Sequence, residues 1–174
     1  MNPDKARILI VDDEPDLLRM LADLLRREGY AVVGQVSSGD AARREADRLK
    51  PDLILMDVVL EGAVDGIEAG RDIHEQCDIP IVFLTALSDA DTLARVKPTD
   101  PFGYLIKPFD ERELIVMIEL ALYRHQAEHR RLAREHWFEA TLRAIGDAVI
   151  TTDAEDHITY FNPSAELYTG CPRD

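Results

Sequence analysis

The sequence predicts an α/β fold in which five parallel strands form a doubly wound sheet within residues 1–122. Three observations lead to this prediction. Short apolar runs recur along this part of the chain, and stretches with apolar residues at helical spacing lie between them. The runs are apolar throughout rather than alternating, which is typical of strands covered by helices on both faces. Such a repeat of strand and helix predicts βα units that feed one parallel sheet.

The five predicted strands are the apolar runs themselves. In chain order they are "ILIV" (8–11), "AVVGQV" (31–36), "DLILM" (52–56), "IPIVFL" (79–84) and "GYLI" (103–106). The first predicted helix lies within "EPDLLRMLADLLRREGY" (14–30) and ends at Gly29, a residue suited to a left-handed helix end. Its apolar face carries Leu17, Leu21, Leu24 and Leu25.

Three further helices are predicted between the remaining strands. The stretch "SGDAARREADRLKPD" (38–52) opens with a serine cap and ends before Pro51. The stretches "GIEAGRDIHEQCD" (66–78) and "SDADTLARVKPTD" (88–100) follow the same logic. Pro98 and Pro101 are expected to stiffen the loop before the last strand.

A long helix is predicted over residues 110–145, which contain neither proline nor glycine. Helical throughout, it would be about 54 Å long, more than the sheet can cover. Its first part, "ERELIVMIELALY", is apolar enough to pack on the sheet, and residues 123–145 form a mostly polar stalk. The apolar residues of this helix exceed what one sheet face needs, which predicts a homodimer through the helix and its stalk; they are Ile115, Ile118, Leu122 and Tyr123.

Composition narrows the class of protein. The 174 residues carry 20 basic and 34 acidic side chains, a net charge of −14, so a nucleic-acid surface is not expected. No apolar run approaches the ~20 residues of a membrane span, and the start "MNPDKAR" lacks a signal-peptide core, which predicts a cytoplasmic protein without membrane association. Cys77 and Cys171 indicate neither a disulfide framework nor a metal site.

Polar side chains follow the predicted strands at the point where each strand ends. Asp12 and Asp13 come after the first strand, Asp57 after the third, Thr85 after the fourth and Lys107 after the fifth. The carboxyl ends of parallel strands meet at one edge of the sheet, where functional residues collect. Three carboxylates there predict a hard divalent cation, Mg²⁺ or alternatively Mn²⁺. A lysine and a hydroxyl beside them are suited to a phosphoryl group.

Residues 5–122 resemble a two-component receiver domain of the flavodoxin-like fold. The resemblance rests on "ILIVDDEPD", "PDLILMDVVL", "DGIEAG", "IPIVFLTA" and "GYLIKPF", in this order and spacing. It implies that Asp57 is the phosphoacceptor. It further implies that Mg²⁺ is held by Asp13, Asp57 and the backbone carbonyl of Val59, with Asp12 acting mostly through water.

The resemblance also implies roles for residues around the acceptor. Lys107 would pair with the phosphoryl oxygens, Thr85 would hydrogen-bond to them, and Ala86 would leave room for the donor's phosphohistidine. Tyr104 matches the aromatic switch position, and the Lys107–Pro108 peptide bond is expected to be cis. In receivers, the side chains at the positions of Val59 and Leu87 flank the water that removes the phosphoryl group. Because both are apolar here, slow self-dephosphorylation is expected.

Residues 146–174 change character to strand, turn, strand and a short helix near Pro163. Their segments "AVITTD", "ITYFNPSAE" and "TG" resemble the start of a PAS sensory domain, so this tail is expected to be a truncated α+β PAS-like fragment. The alternative is a β-hairpin output of unknown type. The expected organisation is therefore a receiver (1–122), a helical linker (123–145) and a PAS-like fragment (146–174).

These features predict a non-enzymatic phosphoacceptor that signals to an attached sensory or output region. Its partner would be a sensor histidine kinase or a phosphotransfer protein, and any kinase domain would lie outside this chain. Two other functions remain open. One is a Mg²⁺-dependent phosphohydrolase with an aspartyl-phosphate, although such enzymes place the nucleophile after the first strand in a D-x-D pattern and this chain has "VDDEP". The other is a response regulator with a nucleic-acid-binding output.

Overall fold

A computed structural model describes residues 6–62, 64–86 and 102–170 of the chain. The chain forms two compact units, Met1–Gln126 and Ala127–Asp174, and each is described separately. Among the described residues, no helix combines the length and the apolar character needed to cross a bilayer.

The first unit is a five-stranded parallel sheet with helices on both faces, which confirms the predicted fold. In chain order its described elements are β1 (Arg7–Val11), α1 (Pro15–Arg27), β2 (Ala31–Val36), α2 (Gly39–Leu49), β3 (Leu53–Asp57), α3 (Gly66–Cys77), β4 (Ile81–Thr85), β5 (Gly103–Ile106) and the start of α4 (Glu111–Ala144). The strands are ordered β2-β1-β3-β4-β5, and each neighbouring pair is parallel. The chain therefore reverses its direction of travel across the sheet after β2, beside β1 and β3.

The core lies on both faces of the sheet because successive strand side chains point to opposite sides. Ile8 and Ile10 of β1 belong to one buried cluster, and Leu9 and Val11 belong to the other. The first cluster also includes side chains of α1 and α4, namely Leu21, Leu25, Leu114 and Ile118. The second also includes side chains of α2 and α3, namely Ala42, Ala46, Ile67 and Ile73. Continuous apolar runs are thus explained by burial on two faces.

The predicted helix ends are confirmed where the structure describes them. Ser38 caps α2 by accepting a hydrogen bond from the Ala41 amide, and Gly29 beyond α1 has a left-handed φ of 82°. Asp65 caps α3 through its Oδ1, which accepts a hydrogen bond from the Glu68 amide at 2.8 Å. The helix expected within 88–100 and the prolines Pro98 and Pro101 lie outside the described residues.

Four apolar residues of α4 were expected to exceed what the sheet can cover, and for three of them this expectation was wrong. Ile118 is fully buried in the core, and Ile115 and Leu122 are partly buried against it. They pack on the sheet because they lie on the helix face that Leu114 also occupies. The exposed apolar side chains on this part of α4 are Val116, Leu120 and Tyr123.

The second unit contains the end of α4, the strands β6 (Ile150–Thr152) and β7 (Ile158–Phe161) and the helix α5 (Pro163–Thr169). β6 and β7 form an antiparallel two-stranded sheet. The predicted order of strand, turn, strand and short helix is confirmed. Cys77 is a free, partly buried thiol of the first unit, whereas Cys171 lies outside the described residues.

Candidate functional site

The carboxyl edge of the sheet brings together the polar residues that the sequence places after its strands. Asp57 is the last residue of β3, and Thr85 is the last residue of β4. Asp12 directly follows β1, and Lys107 directly follows β5. The register of the strands brings these residues to about the same height along the sheet, because Asp57 pairs with Leu84, next to Thr85, and Thr85 pairs with Ile106, next to Lys107.

Lys107 links two of the acidic residues directly. Its Nζ lies 2.8 Å from Oδ2 of Asp12 and 2.9 Å from Oδ2 of Asp57, and it donates a hydrogen bond to each. The lysine side chain is only 16% exposed, and the carboxylates are almost fully buried. Charge-assisted bonds of this kind hold the ammonium in one place. The backbone amide of Lys107 donates to the Thr85 carbonyl, and the Lys107–Pro108 peptide bond is cis, the conformation expected for it.

Asp12 is also fixed from its other carboxylate oxygen. Its Oδ1 accepts a hydrogen bond from the Glu14 amide at 2.9 Å, and its own amide donates to the Val36 carbonyl. Both carboxylate oxygens of Asp12 therefore have protein donors, one from the following turn and one from Lys107. The sequence-based expectation gave Asp12 a role mostly through water and did not foresee this direct contact.

Asp13 joins the same acidic group. One carboxylate oxygen from each of Asp12, Asp13 and Asp57 lies within 4.8 Å of the other two. Three carboxylates face one lysine, so the cluster has an excess of negative charge when all are ionised. Oxygen ligands with excess negative charge are what hard divalent cations prefer, so the residues present fit Mg²⁺. Asp13 is less buried than its two neighbours, which leaves one side of the cluster open to solvent.

Burial and neighbouring charges oppose one another at Asp57. Burial raises the pKa of Asp57 most, and the Asp12 carboxylate raises it further. The hydrogen bond and charge of Lys107 and the hydrogen bond from the Val59 amide lower it. On balance, the pKa of Asp57 lies above its ordinary value. For Lys107, burial is the largest single influence and lowers the pKa, but the bonds to Asp12 and Asp57 outweigh it, so the pKa lies above its ordinary value. Lys107 therefore stays cationic, and added positive charge would favour an ionised Asp57.

Most of the residues that the resemblance assigns to recognition and switching are described by the structure. Thr85 is buried, whereas Ala86 next to it is exposed. Tyr104 on β5 is 43% exposed. Val59 is 55% exposed, and its amide lies 3.3 Å from Oδ1 of Asp57, to which it donates. Leu87 lies outside the described residues.

Gly66 supports the site in a way that sequence reasoning missed. A Cβ atom at this first residue of α3 would lie 1.8 Å from the carbonyl oxygen of Asp57 and 2.8 Å from its carbonyl carbon. The Gly66 amide donates to the Val58 carbonyl at 3.1 Å, so the start of α3 is held against the end of β3. The motif "DGIEAG" offered a weak signal, since glycine permits a close approach between two stretches of backbone.

Comparisons with known proteins agree with this geometry. Residues 8–119 match the response regulator receiver domain family. The transcriptional regulatory protein PdtaR of Mycobacterium tuberculosis is 44% identical over 119 residues, which are 68% of this chain and 57% of PdtaR. The DNA-binding response regulator MtrA of Mycolicibacterium smegmatis is 35% identical over 156 residues, which are 88% of this chain and 62% of MtrA. The chain thus spans less than two thirds of either relative.

Solved structures show the same fold. The receiver domain of a modulated diguanylate cyclase from Desulfovibrio desulfuricans has a TM-score of 0.69 and 38% identity, and covers 72% of this chain and 99% of that one. The N-terminal domain of a response regulator/sensory box/GGDEF protein from Carboxydothermus hydrogenoformans has a TM-score of 0.63 and 31% identity, with 70% and 98% covered. The receiver domain of the Pseudomonas aeruginosa histidine kinase PA1611, with Mg²⁺ coordinated in its active-site cleft, has a TM-score of 0.62 and 33% identity, with 68% and 98% covered.

The acidic cluster with its lysine, the β2-β1-β3-β4-β5 sheet and the match over residues 8–119 all point to one family. Receivers of this family are phosphorylated by histidine kinases or phosphotransfer proteins. The chain belongs to the response regulator receiver domain family of two-component signalling.

Proposed function

We propose that the chain accepts a phosphoryl group on Asp57 and that Lys107 positions and neutralises that group. The observation that carries the proposal is the placement of the Lys107 ammonium 2.9 Å from the Asp57 carboxylate at a mostly buried sheet edge. Asp12 holds the same ammonium from the other side at 2.8 Å. Phosphoryl transfer depends mainly on positioning and charge neutralisation, which this arrangement supplies.

In the transfer, a carboxylate oxygen of Asp57 forms a bond to phosphorus while the bond between phosphorus and the donor's leaving atom breaks. The donor leaves with the bonding electron pair, and Asp57 becomes an acyl phosphate. Lys107 stays protonated and balances charge on the phosphoryl oxygens. We assign Thr85 as a hydroxyl donor to one of those oxygens, and the small, exposed Ala86 as space for an incoming phosphohistidine.

We assign the divalent cation to Asp12, Asp13, Asp57 and the backbone carbonyl of Val59, with Mg²⁺ as the first choice and Mn²⁺ as the alternative. One carboxylate oxygen from each of the three aspartates lies within 4.8 Å of the other two, which supports this assignment. A bound Mg²⁺ would supply positive charge to the phosphoryl oxygens during transfer.

Mg²⁺ should raise the thermal unfolding midpoint of the wild-type chain, because the ion offsets repulsion among the three carboxylates in the folded state only. At 100 times the dissociation constant, mass action adds about 2.7 kcal/mol to the free energy of unfolding. Differential scanning fluorimetry with and without Mg²⁺ measures the shift. Asp13→Asn should lose most of it, whereas Asp52→Asn, at the opposite end of β3, should keep it. An equal shift in both variants would contradict the assignment.

The proposed output is a rearrangement of the surface around β4 and β5. Thr85 would move towards the phosphoryl group, and Tyr104, now 43% exposed, would turn inward into the space it leaves. Tyr104 on β5 lies opposite Phe83, which is two residues before Thr85 on the neighbouring strand β4. This proximity supports the proposed coupling between Tyr104 and Thr85.

The phosphorylated chain should be long-lived, because the apolar Val59 cannot orient an attacking water by hydrogen bonding. Its side chain is 55% exposed two residues beyond Asp57, so a polar group there would reach solvent beside the acceptor. Val59→Asn should speed the decay of purified phosphoprotein in Mg²⁺ by about tenfold. Val59→Leu is the matched control and should decay at the wild-type rate. Wild-type decay within seconds, or equal rates in all three proteins, would contradict the prediction. Leu87→Glu tests the second position that the resemblance implies.

We also propose a homodimer through α4. The exposed side chains of Val116, Leu120 and Tyr123 are spaced four and three residues apart, so they share one face of the helix, away from the buried face of Leu114 and Ile118. Exposed apolar stripes of this kind mark interaction surfaces.

Leu120→Glu should shift the chain from dimer to monomer, because a charge would be buried in the apolar stripe. Light scattering at high concentration, with and without phosphorylation, measures the mass. Gln35→Glu adds the same charge at an exposed position on β2, outside α4, and should remain dimeric. A wild-type chain that stays monomeric in both states would rule out this dimer.

We propose the domain organisation receiver (1–122), helical linker (123–145) and N-terminal part of a PAS-like sensory domain (146–174). Support comes from the hairpin followed by a short helix, and from the Carboxydothermus protein, whose described domains include a sensory box. The family match ends at residue 119, so a hairpin output of another kind remains the alternative. The cytoplasmic location stays a prediction.

The absence of nucleic-acid binding by this chain is likewise a proposal, supported by its net charge of −14. MtrA is named a DNA-binding regulator, and this chain spans 62% of it, so a nucleic-acid-binding output is the second candidate.

Phosphoryl uptake decides between a receiver and a phosphohydrolase. Incubation with acetyl phosphate and Mg²⁺ should give one stable phosphoryl group per chain without continued turnover of the donor, and Asp57→Asn should lack this group.

A further inference from the structure

Asn162 occupies an unusual position in the second unit. It lies between β7 and α5 and is fully buried. Among the side chains described from residue 127 to residue 170, only Asn162 and Ala165 are buried. A buried polar side chain in a unit with so little apolar core requires an explanation from its hydrogen bonds.

The carbonyl oxygen of the Asn162 side chain accepts two backbone hydrogen bonds. One comes from the Val149 amide at 2.9 Å, just before β6, and the other from the Ala165 amide at 2.9 Å, in the first turn of α5. The backbone amide of Asn162 donates to the Val149 carbonyl at 3.1 Å. This half of the residue therefore fastens the hairpin to the start of α5.

The side-chain NH₂ group donates to the end of α4 and the segment after it. Its partners are the carbonyls of Asp147 at 2.9 Å, Leu142 at 3.2 Å and Ile145 at 3.5 Å. Backbone carbonyls can only accept and backbone amides can only donate, so the orientation of the Asn162 amide is unambiguous. Its two hydrogens and both lone pairs of its oxygen are all used.

We infer that Asn162 is a joint that fixes the end of α4, the β6–β7 hairpin and α5 to one another, so that a displacement of the helix end is passed to the hairpin. The inference goes beyond phosphoryl acceptance and does not depend on it. Apolar packing is not what mainly holds the described elements of this unit together, because Ile150, Ile158 and Leu167 are exposed. A fully satisfied buried polar network specifies one geometry, since breaking it leaves buried groups unpaired.

Hydrogen–deuterium exchange on the whole chain tests this joint through peptides that cover 142–148 and 163–170. Asn162→Ala should speed exchange in both peptides by about tenfold or more, because both halves of the network are lost. Asn162→Asp separates the halves. Its carboxylate still accepts from the amides of Val149 and Ala165, but it faces three carbonyls with a negative oxygen. Only peptide 142–148 should then exchange faster.

Ser164→Ala is the matched control, because Ser164 Oγ makes one hydrogen bond to the Ile145 carbonyl at 3.2 Å. It should change exchange in either peptide by less than about twofold. Peptides over β1 and β3 serve as internal references and should not change in any variant. The inference fails if Asn162→Ala leaves both peptides at wild-type rates, if Asn162→Asp affects both equally, if Ser164→Ala matches Asn162→Ala, or if the reference peptides change.

Discussion

Asp57→Asn should carry no phosphoryl group after incubation with acetyl phosphate and Mg²⁺, whereas the wild-type chain should gain one, as intact-mass analysis will show. An amide cannot provide the anionic oxygen that attacks phosphorus, and the acceptor of the 2.9 Å bond from the Lys107 ammonium would lose its negative charge. The expected effect is complete loss of labelling.

Asp52→Asn is the matched control for this result. Asp52 directly precedes β3 at its opposite end and is exposed, and its Oδ2 accepts a hydrogen bond from the Arg7 amide. It should label like the wild type. Undiminished labelling of Asp57→Asn would remove Asp57 from its proposed role and leave the acidic cluster without an acceptor.

Gly66→Ala should lower the free energy of unfolding by about 3 kcal/mol or more, since the added Cβ would meet the Asp57 carbonyl oxygen at 1.8 Å. Backbone atoms of a central strand cannot rotate away, so α3 or the end of β3 must shift. The shift would also displace Asp57 and slow phosphoryl uptake, because misplacement by about 1 Å can cost about a hundredfold in rate. Urea unfolding and intact-mass labelling measure the two effects.

Gly103→Ala provides a sharp comparison. Its Cβ would meet the sulfur of Met117 at 2.3 Å, a contact almost as close as that at Gly66. A methionine side chain has several rotatable bonds and can move aside, so the cost should be about 1 kcal/mol or less. Equal destabilisation by the two substitutions would show that the rigid Asp57 backbone is not what makes Gly66 necessary.

The order and type of the described elements were readable from the sequence alone. Strands such as "AVVGQV" and "GYLI" were predicted at the bounds that the structure gives, because apolar runs and helical spacing report burial within one element. Capping at Ser38 and the left-handed end at Gly29 were likewise readable, since both depend on local backbone geometry. The sequence also placed the five polar residues at one edge, because parallel strands share their carboxyl ends.

The contacts between groups distant in sequence depend on the packing of the whole fold. Lys107 binds Asp12 and Asp57 across 95 and 50 residues of chain, and no local pattern specifies such a pair. The same holds for the approach of Gly66 to the Asp57 carbonyl, for the burial of Ile118 in place of exposure, and for the five hydrogen bonds of the Asn162 side chain. Periodicity reports which face of an element is buried, but contact distances depend on how elements pack, which residues distant in sequence determine together.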